Sequence, residues 1–214
     1  MSHGVETVDT IEFGSYLCLR GVRARFDRNA EVFGEGEPAT YIYRVVSGAV
    51  RAMRFSSDGR RQILAFYLPG DVFGVETSDK HTTTVEAIGE TELVMVRRSL
   101  LEKAATEDSR AARCWLDFTA EHLRRAQDHA LILGRKGAGE RVAAFLLRFA
   151  ERCVPGSELD LPMSRSDIAD YLGLTIETVS RSFTDMERRH AIELPSSRHV
   201  VVCNRSTLLQ LEAA

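Results

Sequence analysis

The chain has 214 residues, 44% of them hydrophobic and 28% charged, with a formal net charge of −3. That balance describes a folded chain of one large or two modest domains and excludes a disordered, collagenous or disulfide-stapled one. The longest uncharged apolar run, Ile63–Pro69, falls short of the ~20 residues a bilayer crossing needs, and no basic-then-apolar block opens the chain, so a cytoplasmic protein without a membrane span is expected.

From about Arg25 to Val96 the texture is β. Short runs rich in Val, Ile, Phe and Tyr (Tyr41–Val46, Ala49–Phe55, Gln62–Leu68, Thr82–Ala87, Thr91–Val96) alternate with glycine-marked turns. Even spacing of this kind predicts an antiparallel sandwich or roll. Asp58-Gly59 predicts a two-residue hairpin, because glycine accepts a positive φ, and Pro69-Gly-Asp71 predicts a sharp turn.

The period then changes. Ala112, Leu116, Thr119, Leu123, Ala126, Ala130 and Leu133 alternate in steps of four and three, a heptad seam along a helix from about Ser109. Two accounts are open: the seam pairs with a second copy of the chain, or the helix lies on the β domain, toward which Trp115 points as a broader apolar contact. Small Ala112, Ala126 and Ala130 suit close helix pairing. The glycine-rich Gly134–Gly139 reads as a hinge. It lacks the G-x-x-x-x-G-K-[ST] pattern, since Lys136 precedes Gly137, so a phosphate loop is not expected. The expected domains are thus 1–108, a β-roll; 109–138, the helix and hinge; and 139–214, a compact α+β unit.

In that last unit Val142, Phe145, Leu146 and Phe149 mark an amphipathic helix. Ser164, with Asp167 three residues on, predicts a capped helix that Gly173 ends. Thr175 caps a further helix to about His190, followed by strands at Ala191–Leu194 and His199–Cys203. Ile176, Val179, Phe183 and Met186 form a stripe toward the core. Glu177, Ser180 and Arg181, at i, i+3 and i+4, share a different face. Two short helices joined at a glycine, then a strand pair, make a winged helix-turn-helix with its wing tip near Ser196–Arg198. The second helix of that motif meets base edges with its N-terminal residues; Arg pairs with guanine, Glu accepts from cytosine, and Ser bonds several partners. A bland alternative stands beside this: Glu177 and Arg181 as a surface ion pair worth a few tenths of a kcal/mol. Bulk charge offers no help, since residues 139–214 carry 9 Arg and no Lys against 11 acidic residues, a net of −2. Arg165, Thr175, Thr178 and Arg188 are candidate phosphate partners. Asp167, Asp170, Asp185 and Glu187 on flanking faces are expected to repel phosphate and narrow the footprint.

The run Met163-S-R-S-D-I-A-D-Y-L-G-L-T-I-E-T-V-S-R181 resembles the DNA-binding motif of the CRP/FNR superfamily of bacterial transcription regulators, and most of all its FNR/FixK branch, with E-x-x-S-R on the recognition helix. Pro69-G-D-V-F-G74 resembles a turn of that family's cyclic-nucleotide-type β-roll, and Leu133-G-R-K-G-A-G-E-R-V-A143 its junction between dimer helix and DNA-binding domain. The resemblance implies an α+β fold of antiparallel β-roll, long dimerisation helix and winged helix-turn-helix. It implies a homodimer reading an inverted TTGAT-type repeat of double-stranded DNA through Glu177, Ser180 and Arg181. It also implies activation through RNA polymerase, in a low-oxygen or nitrogen-fixation programme; the hairpin at Ser57–Arg61 is the candidate polymerase contact. No Ser-His-Asp order, metal-ligand spacing or phosphate cradle stands out in the residues, so an enzyme is not expected.

The same resemblance says little for an effector. Cyclic-nucleotide members grip the cyclic phosphate with an Arg-Ser pair, where this chain reads His81-T-T-T-V-E-A87, with Glu86 adding a repulsive charge. FNR-type sensors hold an iron–sulfur cluster on closely spaced N-terminal cysteines, and here only Cys18 lies in that region. The expectation is therefore no cofactor and no metal. An effector-sensing regulator, with a small ligand or a haem on His81 in the β-roll, is the alternative. His122 and His129 are expected to be solvated or at an interface. Cys114 and Cys153 are expected to be packed thiols and Cys203 an oxidisable one in the wing.

Overall fold

The computed structural model describes residues 8–13, 17–76, 78–134, 137–152 and 158–213; Lys136 and Cys153 lie outside these. The chain groups into two compact units, Met1–Arg124 and Arg125–Ala214.

In the first unit, nine strands run β1 (Val8–Phe13), β2 (Leu17–Phe26), β3 (Glu31–Phe33), β4 (Tyr41–Ser47), β5 (Val50–Phe55), β6 (Arg61–Tyr67), β7 (Val72–Phe73), β8 (Thr84–Ala87) and β9 (Thr91–Arg97). They form two antiparallel sheets, ordered β1-β2-β9-β4-β7 and β3-β8-β5-β6. This is the expected roll, with β1, β2, β3 and β7 added to the strands legible in the sequence. Arg20, Arg23 and Arg25, irregularly spaced around Gly21, break the strand pattern of β2. Within β2, Gly21 allows close approach of β9, because a Cβ there would run into the Met95 carbonyl. The inner faces meet in a core of Val45, Val50, Val85, Leu93 and Phe73, and a second cluster of Ile11, Phe13, Ile42, Val94 and Val96.

The β5–β6 hairpin differs from the two-residue expectation. Its ladder closes at Phe55–Arg61, and the Ser56 amide bonds the Arg60 carbonyl at 2.9 Å, with Gly59 at φ 80°. That is a longer loop with glycine at its left-handed position.

Two helices complete this part of the chain: α1 (Arg98–Glu107) and α2 (Ser109–Gly134). No side chain caps α1, which leaves no start signal in the sequence; buried Leu101 anchors it to the sheet. Along α2, Ala111, Cys114, Trp115 and Phe118 pack onto the β-roll cluster, whereas Leu116 and Leu123 are 61% and 59% exposed. The helix therefore lies on the β domain through one face and leaves the Leu116 and Leu123 side of the seam exposed. Thr119, Ala126 and Ala130 are exposed as well, Ala112 and Leu133 half-buried, and Leu131 extends the exposed apolar surface.

The second unit adds α3 (Ala138–Arg152), β10 (Glu158–Asp160), α4 (Arg165–Leu172), α5 (Ile176–Arg188), β11 (Ile192–Glu193), β12 (His199–Val202) and α6 (Arg205–Ala213). A β10-β12-β11 sheet closes it. Its core includes Val142, Phe145, Leu146, Leu159, Ile168, Leu172, Phe183 and Val200. Among the described residues, no helix is long and apolar enough to cross a membrane.

Candidate nucleic-acid interface

Local chemistry fixes the helix pair. The Ser164 hydroxyl accepts the Asp167 N–H at 3.1 Å and the Asp167 carboxylate accepts the Ser164 N–H at 3.0 Å, a reciprocal capping box. Gly173 ends α4 in the left-handed region, φ 62° and ψ 43°. Buried Ala169 lets α5 pack closely. The Thr175 hydroxyl accepts the Thr178 N–H at 3.3 Å and starts α5.

Val179, Phe183 and Met186 then sink into the core, each at most 1% exposed. Ile176, expected to continue their stripe, does not: it is 46% exposed. At the first helical position its side chain leans toward the N-terminus, past the last residue the core covers.

Glu177, Ser180 and Arg181 are all exposed. Arg181 Nε donates to the Glu177 carbonyl at 3.4 Å, and among the described residues no carboxylate forms a salt bridge with its guanidinium. The surface ion pair is thus not formed, and the guanidinium edge is available. Glu177 is held below the usual carboxylate range by the backbone N–H at its own position, then by the Thr175 hydroxyl and the charge of Arg181. It is an ionised acceptor at neutral pH.

The remaining candidates fall in different places. Thr175 and Thr178 share a hydrogen bond of 3.0 Å at the helix start. Arg188 is exposed near the other end of α5, 2.9 Å from Asp185, which Arg189 also contacts at 2.8 Å. Arg165 turns inward instead. Its guanidinium lies 3.2 Å from the Phe183 ring centre, Nη1 is buried without a partner, and burial draws its pKa down to about 10. The acidic flank is also less repulsive than its composition suggests: Asp167 is buried in the capping box and Asp185 is paired with two arginines.

β12 pairs with β11 on one side and β10 on the other, and the exposed loop Pro195–Arg198 is the wing tip. Cys203 is exposed just beyond β12, and its thiol is pushed up by desolvation, then by the charge of Glu193, which reduces its thiolate fraction and so its reactivity.

In the β-roll, a cavity of about 190 Å³ is lined by Phe33, Tyr67, Glu76, Thr82, Thr83 and His122, among others. Among its described lining residues there is no guanidinium or ammonium, and the volume is below the ~300–1,000 Å³ of ordinary ligand pockets. His81 is 3% exposed, stacked on Phe33 at 3.5 Å between ring centres, with Nδ1 3.6 Å from Glu76; burial favours its neutral form. Glu86 is not a free repulsive charge, since Arg51 meets it at 2.7 Å. His122 packs at a tilt against Phe118, with ring centres 4.2 Å apart, and His129 is buried against Tyr171, so neither helix histidine is simply solvated. Among the described residues, no cluster of three His, Cys, Asp or Glu side chains could hold a metal.

The chain matches the Crp-like helix-turn-helix domain over residues 140–211 and the cyclic nucleotide-binding domain over residues 23–108. It is 46% identical to the nitrogen fixation regulation protein FixK of Azorhizobium caulinodans over 219 residues, spanning 100% of this chain and 88% of the relative. It is 42% identical to FixK of Rhizobium meliloti, spanning 88% of this chain and 86% of that one. The solved structure of FixK2 from Bradyrhizobium japonicum superposes with a TM-score of 0.88 at 48% identity, covering 91% of this chain and 98% of FixK2. With a β-roll, a long helix and a winged helix-turn-helix in the same order, the chain belongs to the CRP/FNR family of transcriptional regulators, within its FixK-like branch.

Proposed function

We propose that the protein is a transcription activator that binds an inverted TTGAT-type repeat as a homodimer in the cytoplasm. The observation that carries this is the shared exposure of Glu177, Ser180 and Arg181 on the N-terminal half of α5, over a sealed core. Arg181 supplies a guanidinium for guanine, Glu177 a carboxylate for cytosine N4, and Ser180 a small hydroxyl between them. Thr175, Thr178 and Arg188 contact phosphate at the two ends of the helix. Exposed Leu116 and Leu123, one heptad apart, form the core of the seam with Ala112, Thr119, Ala126, Ala130 and Leu133. The exposed hairpin at Ser57–Arg61 contacts RNA polymerase. The names of the FixK relatives support a nitrogen-fixation programme.

A genome-wide footprint of the purified protein without ligand tests the reading. Protected inverted repeats are the expected result, and protection indifferent to sequence defeats it.

One observation favours a second reading. The β-roll cavity is bordered by His122 of α2, so a small occupant there would touch the helix that carries the seam. With Glu76 as the charged group among its described lining residues, the occupant would be neutral or cationic rather than a cyclic phosphate. A thermal-shift screen reveals it as a rise in melting temperature, since a ligand specific to the native state stabilises it.

A further inference from the structure

The last four carbonyls of an α-helix have no partner within the helix. At the end of α4 the Ala169 carbonyl is taken up by the turn, receiving the Gly173 and Leu174 N–H groups. The carbonyls of Tyr171 and Leu172 receive side chains from other helices. His129 Nε2, on α2, lies 2.9 Å from the Tyr171 carbonyl; a carbonyl only accepts, so Nε2 carries the proton. Arg141 Nη1, on α3, donates to the Leu172 carbonyl at 3.0 Å. The His129 ring also lies flat on the Tyr171 ring, with centres 3.8 Å apart and planes 1° from parallel. Leu133 and Arg141 close around Gly173, where an added Cβ would sit 3.9 Å from Leu133 Cδ2 and 3.7 Å from Arg141 Nη1.

These contacts converge on the residues just before the left-handed turn that sets the direction of α5. Both donors come from outside the helix-turn-helix, and one of them sits on the helix that bears the seam. We propose that His129 and Arg141 are positioning residues for DNA reading. They clamp the C-terminal end of α4 to the last turns of α2 and the start of α3, so that the reading face of α5 keeps one attitude to those turns of α2, which carry Ala130 and Leu133 of the seam. The inference rests on the proposed dimer and base-reading face.

A dimer with rigidly held reading helices accepts only half-sites at one separation, about one helical turn of DNA. A loosened clamp tolerates another spacing. The test measures binding of the full chain to the inverted repeat, to the same repeat with its spacer lengthened by one base pair, and to a scrambled duplex. The variants are His129→Ala, Arg141→Ala, their combination, and His129→Gln, which keeps a donor for the Tyr171 carbonyl. The wild type is expected to lose at least about tenfold on the lengthened spacer. The double variant, still dimeric by light scattering, is expected to weaken about tenfold on the native spacing and to bind both spacings within about twofold of each other. His129→Gln is expected to recover most of the discrimination. Unchanged discrimination in every variant overturns the inference. So does an equal loss on both spacings, which assigns the pair to folding alone. Wild-type binding that ignores sequence defeats the underlying DNA reading, and the inference with it.

Discussion

Ser180 lies one helical turn beyond Ile176 on α5, about 40° around the axis, and both side chains are exposed. An apolar side chain thus adjoins the polar reading face at the helix tip, where base contacts of this motif concentrate. Apolar groups in the major groove recognise the thymine methyl. Replacing thymines of the half-site one by one with uracil is expected to weaken wild-type binding about threefold to fourfold at one position. In Ile176→Ala that position should become indifferent to the methyl. A methyl effect that survives the substitution assigns Ile176 to packing.

Arg181→Ala is expected to lose ~1–3 kcal/mol on the specific repeat and to relax discrimination at a single guanine. Titrations against the repeat and against random duplex separate this from a phosphate role, in which both affinities fall together.

Leu123→Glu places a charge in the middle of the exposed apolar row on α2. Light scattering should then report monomers, and affinity for the inverted repeat should drop while that for one half-site changes little. A variant that remains dimeric rejects the seam.

Removing one cap tests how the helix pair is held. Ser164→Ala leaves the Asp167 N–H without its acceptor and is expected to destabilise the second unit by ~0.5–2 kcal/mol in urea titration. Compensation by water at the helix end would leave the midpoint unmoved.

His199 provides the pH dependence. Its Nδ1 bonds Asp160 at 2.7 Å across β10 and β12, and that hydrogen bond, reinforced by the charges of Asp160 and Glu158, raises its pKa. Because the folded value lies above the unfolded one of ~6.5, the stabilisation is complete below that pH and fades as pH rises through the folded value. Imidazole titration by NMR should place the His199 midpoint above ~6.5, and Asp160→Asn should bring it back down.

Much of this architecture is legible in the amino-acid sequence. The capping box at Ser164, the left-handed Gly173 and the Thr175 cap stand at the positions their residue types predict, because each is a contract between residues no more than a few positions apart. Strands with strong β-branched runs are equally plain. The elements that escape such a reading lack a local signal: β2 carries irregularly spaced arginines around Gly21, β7 is two residues long, and α1 has no capping side chain.

The sequence alone determined the order of the strongly patterned elements, the caps of α4 and α5, and the periodicity that sets Glu177, Ser180 and Arg181 on one face, since these are consequences of local spacing. Tertiary packing decided how far the core extends and which polar groups it turns inward. It left Ile176 outside, laid Arg165 on Phe183, paired Arg51 with Glu86 and brought His129 to an orphan carbonyl of α4. Those outcomes depend on which surfaces meet across tens of residues, and a buried polar group takes whichever partner that meeting supplies.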